Sequence, residues 1–227
     1  MNDLIAALAV ARKDFLQELR SRATTVATLF FSGITLVMMA FGLGRDPDLM
    51  ASAAPGVLWV ALAFAGVISS AQSFQADLEE GALEQLLLLP VSRAAVYLGK
   101  LLASWLYLSV LGIIMLPVAF ALYGASAPAE TWWVLVLTVI LGGLGFAVIA
   151  TFYAGLTANL QAREALLPVL MFPVIVPVML GAVRATESAL LGGADIGLAA
   201  SWLQLLAGFD LVYLVVCSSI FHFVVDD

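Results

Sequence analysis

Five stretches of this chain contain no Asp, Glu, Lys or Arg: 23–44, 49–76, 101–129, 131–162 and 165–183. A sixth apolar stretch, 196–225, is broken only by Asp210. About 20 largely apolar residues suffice for a helix to cross the hydrocarbon of a bilayer. The runs therefore predict an all-α integral membrane protein with six transmembrane helices. Composition agrees: 63% of the 227 residues are hydrophobic and 11% charged, against about half and about a quarter in a soluble domain. A soluble enzyme, a nucleic-acid-binding protein and a disordered chain are excluded on that ground.

Orientation follows from the basic residues. Arg12, Lys13, Arg20 and Arg22 precede the first run, Arg93 and Lys100 lie between the second and third, and Arg163 follows the fourth. These seven fall on one side, and only Arg45 and Arg184 fall on the other. The positive-inside rule then places both termini in the cytoplasm. The net charge of -7 mostly counts carboxylates in short connections and says little about a partner.

Residues 1–22 read as a helix rather than a span. Leu4, Leu8, Ala11, Phe15 and Leu19 recur at three- and four-residue spacing, with Arg12, Lys13, Gln17 and Arg20 elsewhere. The pattern predicts an amphipathic helix in the membrane surface, its Arg12, Lys13, Arg20 and Arg22 towards lipid phosphates. Docking on a partner protein is the competing reading. Arg12, Lys13, Asp14 and Glu18 interrupt this stretch, so no signal peptide is expected.

Other connections are short turns at Gly44–Asp48 and Ser126–Glu130, each with a proline. No internal repeat is present, and a single unit spans 1–227. The longest connection towards the cytoplasm is 77–100, DLEEGALEQLLLLPVSRAAVYLGK. It gathers Asp77, Glu79, Glu80 and Glu84, with Leu83, Leu86 and Leu87 at helical spacing before Pro90. A short helix lying flat at the membrane, acidic on one side and apolar on the other, is the expectation.

Glu80-Gly81-x-Leu83-Glu84-Gln85-Leu86, then Pro90 and Lys100, resembles the signature that follows the second helix of ABC-2-type permeases. Ala54-Pro55-Gly56-Val57-Leu58-Trp59-Val60, Asp77-Leu78, Asn159, Arg163-Glu164, Leu166-Leu167-Pro168, Pro173 and Pro177 narrow the resemblance to the haem exporter protein B (CcmB) family of cytochrome c maturation. The resemblance implies a non-catalytic permease subunit in the bacterial inner membrane. Its 77–100 segment would be the coupling helix that docks on a separate, cytoplasmic CcmA-like ATPase, through Glu80, Gly81, Leu83, Glu84, Leu86, Leu87 and Pro90. It also implies CcmC-like and CcmD-like haem-handling subunits and two copies of this chain. ATP would be bound by the partner, and haem would be substrate of the complex, exported or released to a haem chaperone. The chain has no Gly-x-x-x-x-Gly-Lys-Ser/Thr phosphate cradle of its own.

Remaining features carry less. Pro168 fits a first helical turn, whereas Pro173 and Pro177 each remove a backbone hydrogen bond; a flexible or re-entrant element and a static kink are both open. Gly143, Ala147, Ala150, Ala154 and Ala158 predict close packing with a neighbour or a second copy. Asp210 is expected near the outer boundary, on a span of 207–225 preceded by a short outer helix at 196–206. His222, the one histidine, reads as an interfacial neighbour of Phe221 and Phe223 rather than a haem ligand. Cys217 is the one cysteine, which excludes an intramolecular disulfide and a cysteine metal cluster. An ABC-2 permease for a drug, lipid or polysaccharide shares the coupling motif and is the nearest rival. An intramembrane enzyme would need paired catalytic groups, and Asp210 and His222 lie about 18 Å apart along a helix.

Overall fold

In the computed structural model the structure describes residues 3–79, 92–158, 163–190 and 196–224. These residues form helices α1 (Asp3–Arg20), α2 (Arg22–Leu43), α3 (Pro47–Glu79), α4 (Arg93–Tyr123), α5 (Trp132–Thr157), α6 (Arg163–Leu190) and α7 (Ile196–Val224), with a 3-10 turn at Ala129–Thr131. Six of them, α2 to α7, are long and apolar enough to cross a membrane, as the apolar runs predict. Local chemistry sets their ends. Asp46 accepts from the Asp48 and Leu49 amides at 3.1 and 3.4 Å and caps α3, with Pro47 in its first turn. Ser92 caps α4 by accepting from the Ala95 amide at 3.2 Å. Gly124, at φ 66°, closes α4 in the left-handed conformation that glycine adopts without strain.

The helices differ in how far they are enclosed. In α5, 72% of the apolar stretch is buried, against 17% in α2. A helix apolar on every side belongs inside, and α5 is the axis of the bundle, in contact with α3, α4, α6 and α7. Its small-residue face is spent within this chain: Ala147 and Ala150 are fully buried, and Ala154 and Ala158 nearly so. The exposed apolar residues of α2, among them Phe30, Met38 and Phe41, suit lipid.

Hydrogen bonds from aromatic side chains run between helices along α4. Tyr97 donates to the Val148 carbonyl at 2.9 Å, Trp105 to the Ile140 carbonyl at 2.8 Å, and Tyr123 to the Leu36 carbonyl at 2.8 Å. Tyr107 shares a hydrogen bond with Thr28. Such groups must find partners inside a membrane, where water supplies none.

Three boundaries differ from the sequence expectation. The 77–100 connection is shorter, because α3 runs on through Glu79 and α4 begins at Arg93. Helix α6 continues past Arg184 to Leu190, that arginine being paired with Glu187 at 2.9 Å. Helix α7 is one continuous helix from Ile196, without a separate outer helix at 196–206. In the first two cases a charge read as the end of a span is held within a helix that goes on.

Candidate functional site

Three helices, α1, α3 and α4, each bring a polar stripe to one end of the bundle. On α1 it is Asp14 and Glu18, on α3 Ser69, Ser73 and Asp77, and on α4 Lys100 and Ser104. Residues four apart share one helical face, so each stripe can face the other two. Close approach is set at Gly99, where a Cβ would lie 2.7 Å from the Ala7 carbonyl oxygen and from the Val10 Cβ. Only glycine lets α1 sit this near to α4.

The result is a closed ring of four alternating charges. Lys13 Nζ lies 2.9 Å from Asp14 Oδ1, Asp14 Oδ2 lies 3.0 Å from Lys100 Nζ, Lys100 Nζ lies 2.5 Å from Asp77 Oδ2, and Asp77 Oδ1 lies 2.6 Å from Lys13 Nζ. Asp14, Asp77 and Lys100 are buried, and Lys13 keeps 39% of its side chain exposed. Lys100 also donates to Ser73 at 3.3 Å and sits over the Phe74 ring, 4.6 Å from its centroid. Burying ions costs several kcal/mol each unless opposite charges and hydrogen bonds replace water. Here every member has two opposite neighbours.

Electrostatics outside the spans follows from the same geometry. Burial pulls the Lys13 pKa down, but hydrogen bonds and charge from Asp14 and Asp77 outweigh it and hold the pKa above the usual lysine value. Glu18, one turn beyond Asp14, accepts from the Ser69 hydroxyl. Burial pushes its pKa up to about 7, with the Ser69 hydrogen bond opposing.

Sequence reasoning placed these residues differently. Lys13, grouped with the lipid-facing basic residues, is turned to Asp14 and Asp77 instead; Arg12 and Arg20 are exposed, and the Arg22 side chain lies outside the described residues. Leu4 and Leu8 point away from the bundle, 78% and 59% exposed, as suits an apolar stripe turned to lipid, whereas Ala11 of the same stripe is buried. The face of α1 against the bundle is Ala6, Val10, Ala11, Asp14 and Glu18. Thus α1 docks on its own chain, through small and acidic residues. Asp77 and Lys100, read as loop ends, are the facing stems of α3 and α4. The residues between them that carry the coupling reading, Glu80, Gly81, Leu83, Glu84, Leu86, Leu87 and Pro90, lie outside the described residues.

Elsewhere, Asp210 sits midway along α7 and is 3% exposed, not at an outer boundary. Its carboxylate is aimed at Gly145 of α5, beside Val178 of α6, and neither oxygen has a hydrogen-bond partner among the described residues. Pro168, Pro173 and Pro177 all fall inside the single helix α6, with Pro173 exposed on its outer side. The re-entrant reading is set aside by that continuity. Cys217 is buried in α7, and the His222 side chain lies outside the described residues. The opposite end of the bundle holds a cavity of about 390 Å³ lined by Ser52, Pro55, Ser126 and Glu187. No group of three His, Cys, Asp or Glu suited to a metal ion occurs among the described residues.

The chain matches the model of the family described as CcmB protein over residues 5–224. It is 30% identical to heme exporter protein B of Haemophilus influenzae over 182 residues, 80% of this chain and 81% of that one. Against heme exporter protein B of Pseudomonas aeruginosa it is 31% identical over 173 residues, 76% and 77% of the two chains. For the protein of that name from Rhodobacter capsulatus the figures are 32% over 152 residues, 67% and 69%. A match that runs from the first turn of α1 to the last residue of α7, in a bundle of six spanning helices, makes this chain a member of the CcmB family.

Proposed function

We propose that the chain is the permease subunit of an ABC transporter for cytochrome c biogenesis. It couples ATP hydrolysis on a separate CcmA-like ATPase to haem export, or to haem release to a chaperone. Membership of the CcmB family supports the assignment. The observation that carries the coupling role is the ion ring across the stems of the 80–91 segment. A projection pushed by an ATPase must pass force to the bundle, and Asp77 and Lys100 join its two roots to each other and to α1. Leu83, Leu86 and Leu87 fill an apolar groove on the ATPase, and Glu80 and Glu84 orient it by ion pairing.

The termini, the ring and the 80–91 segment face the cytoplasm of a bacterium, and the chain spans the inner membrane. Seven of the nine basic residues lie at that end. Two copies assemble with two ATPase subunits and with CcmC-like and CcmD-like partners. ATP is held by the ATPase, and haem is the substrate of the complex rather than a resident cofactor of this chain.

Affinity purification in mild detergent tests the assembly, with an ATPase and haem-handling membrane proteins expected to co-purify. Glu84→Lys tests the coupling: membrane insertion persists, while transport-linked ATP hydrolysis in the assembled complex is lost. Full activity of that variant removes Glu84 from the role, and a stable monomer that is active with no ATPase attached refutes the assignment.

A further inference from the structure

Two ammonium groups and three carboxylates meet where α1 lies against α3 and α4. The ring balances Lys13 and Lys100 against Asp14 and Asp77 and leaves Glu18 over. Glu18 is 8% exposed, and its side chain bonds to the Ser69 hydroxyl. It lines a cavity of about 60 Å³ with Asp14, Gln17, Ser69, Gln72 and Ser73. That is polar and roomy enough for water, which needs a space of about 10–15 Å³ and several polar partners.

The cavity wall has Asp14 and Gln17 from α1 and Ser69, Gln72 and Ser73 from α3. Behind that wall lie the other charged and titratable groups of the cluster, Lys13 on α1, Asp77 on α3, and Lys100 and Tyr107 on α4. From α2, Thr25 donates to the Glu18 main-chain carbonyl at 3.3 Å. Among these, both cations are already held between two carboxylates in the ring. Among the described side chains one negative charge is therefore left to be neutralised, and the chemistry that does so is a single positive charge delivered through the cavity.

We propose that this cavity is a proton-binding site, with Glu18 as the group that takes the proton, and that loading it seats α1 on the stems of α3 and α4. The inference stands apart from the ATP-coupling reading, since seating is measured on the chain without a partner. Its sign is fixed. Glu18 has a folded-state pKa raised from 4.5 to about 7, so the stabilisation is complete below the lower value. It is lost as pH rises through the upper one.

The test is the full chain in lipid nanodiscs, with Tm and hydrogen-exchange protection of the α1 amides followed against pH. The wild type loses Tm and α1 protection as pH rises towards 7, then levels off. Glu18→Gln, neutral at every pH, removes that slope. Ser69→Ala, which deletes the hydrogen bond favouring the ionised form, moves the levelling point to higher pH and serves if Glu18→Gln does not fold. A wild-type profile flat across this range overturns the proposal, as does a slope unchanged in Glu18→Gln or an unmoved midpoint in Ser69→Ala. Replacing sodium and potassium by a bulky organic cation separates the two sources of positive charge. A Tm that follows those ions rather than pH makes this a monovalent-cation site and overturns the proton.

Discussion

Asp77 and Asp210 are both carboxylates on spanning helices, both almost fully buried, and their surroundings could hardly differ more. Asp77 touches two ammonium groups at 2.5 and 2.6 Å. Asp210 faces Gly145 and Val178, with no polar partner for either oxygen among the described residues. The first is bound up in the geometry of three helices. The second has room beside Gly145 but nothing among the described residues to replace the water that a charge needs. Burial alone therefore does not tell a structural charge from an idle one; the partner does.

The contrast breaks first at Lys100. Lys100→Met leaves Asp14 and Asp77 to share the half-exposed Lys13 and should cost about 3–5 kcal/mol of stability, as for other buried pairs that lose one partner. Thermal unfolding of the full chain in nanodiscs measures it. The double variant Lys100→Met with Asp77→Leu should recover a large part, and simple additivity of the two costs would show that the ring does not act as a unit.

Space rather than charge governs the next pair. Gly145→Ala puts a Cβ against Asp210 and 2.9 Å from the Val178 Cγ1, and Gly99→Ala drives one into the Ala7 carbonyl. Each should cost about 1–3 kcal/mol by overpacking. The second should also lower exchange protection in α1, and the first should not. Asp210→Asn keeps the shape and removes a carboxylate with no partner among the described residues, so its Tm should be no lower than the wild type's by more than about 1 kcal/mol equivalent. A loss as large as that from Lys100→Met would reveal a partner for Asp210. Smallest of all is Arg184→Ala, which breaks an exposed pair three residues apart on α6 and should cost about 0.5 kcal/mol or less.

Six spans and the turns at Gly44–Asp48 and Ser126–Glu130 could be read from the chain, because the bilayer imposes a length and a composition on every crossing. The ring could not. Runs were bounded by their first charged residue, so Asp77 and Lys100 marked ends although both helices continue beyond them. A charge that finds partners within the protein has no need to leave it. The four-residue spacing of Ser69, Ser73 and Asp77, and of Asp14 and Glu18, was visible as pattern. What it pairs with was not, since Asp14 and Lys100 lie 86 positions apart and only the fold brings them together. The outward Leu4 and Leu8 of α1 agree with an apolar stripe turned to lipid; the docking of the opposite face on this chain's own α3 and α4 is not legible without the fold.

The aromatic hydrogen bonds along α4 give that helix a mechanical character. At 31 residues it is about 46 Å long at the standard rise, enough to reach past both surfaces of the bilayer. Tyr97 and Trp105 fasten it to α5, and Tyr107 and Tyr123 fasten it to α2. A rod bolted at four heights cannot slide against its neighbours or bend in its middle without breaking a bond that the membrane will not replace. A push on the Lys100 end must therefore emerge as a tilt at Tyr123, carrying α2 with it.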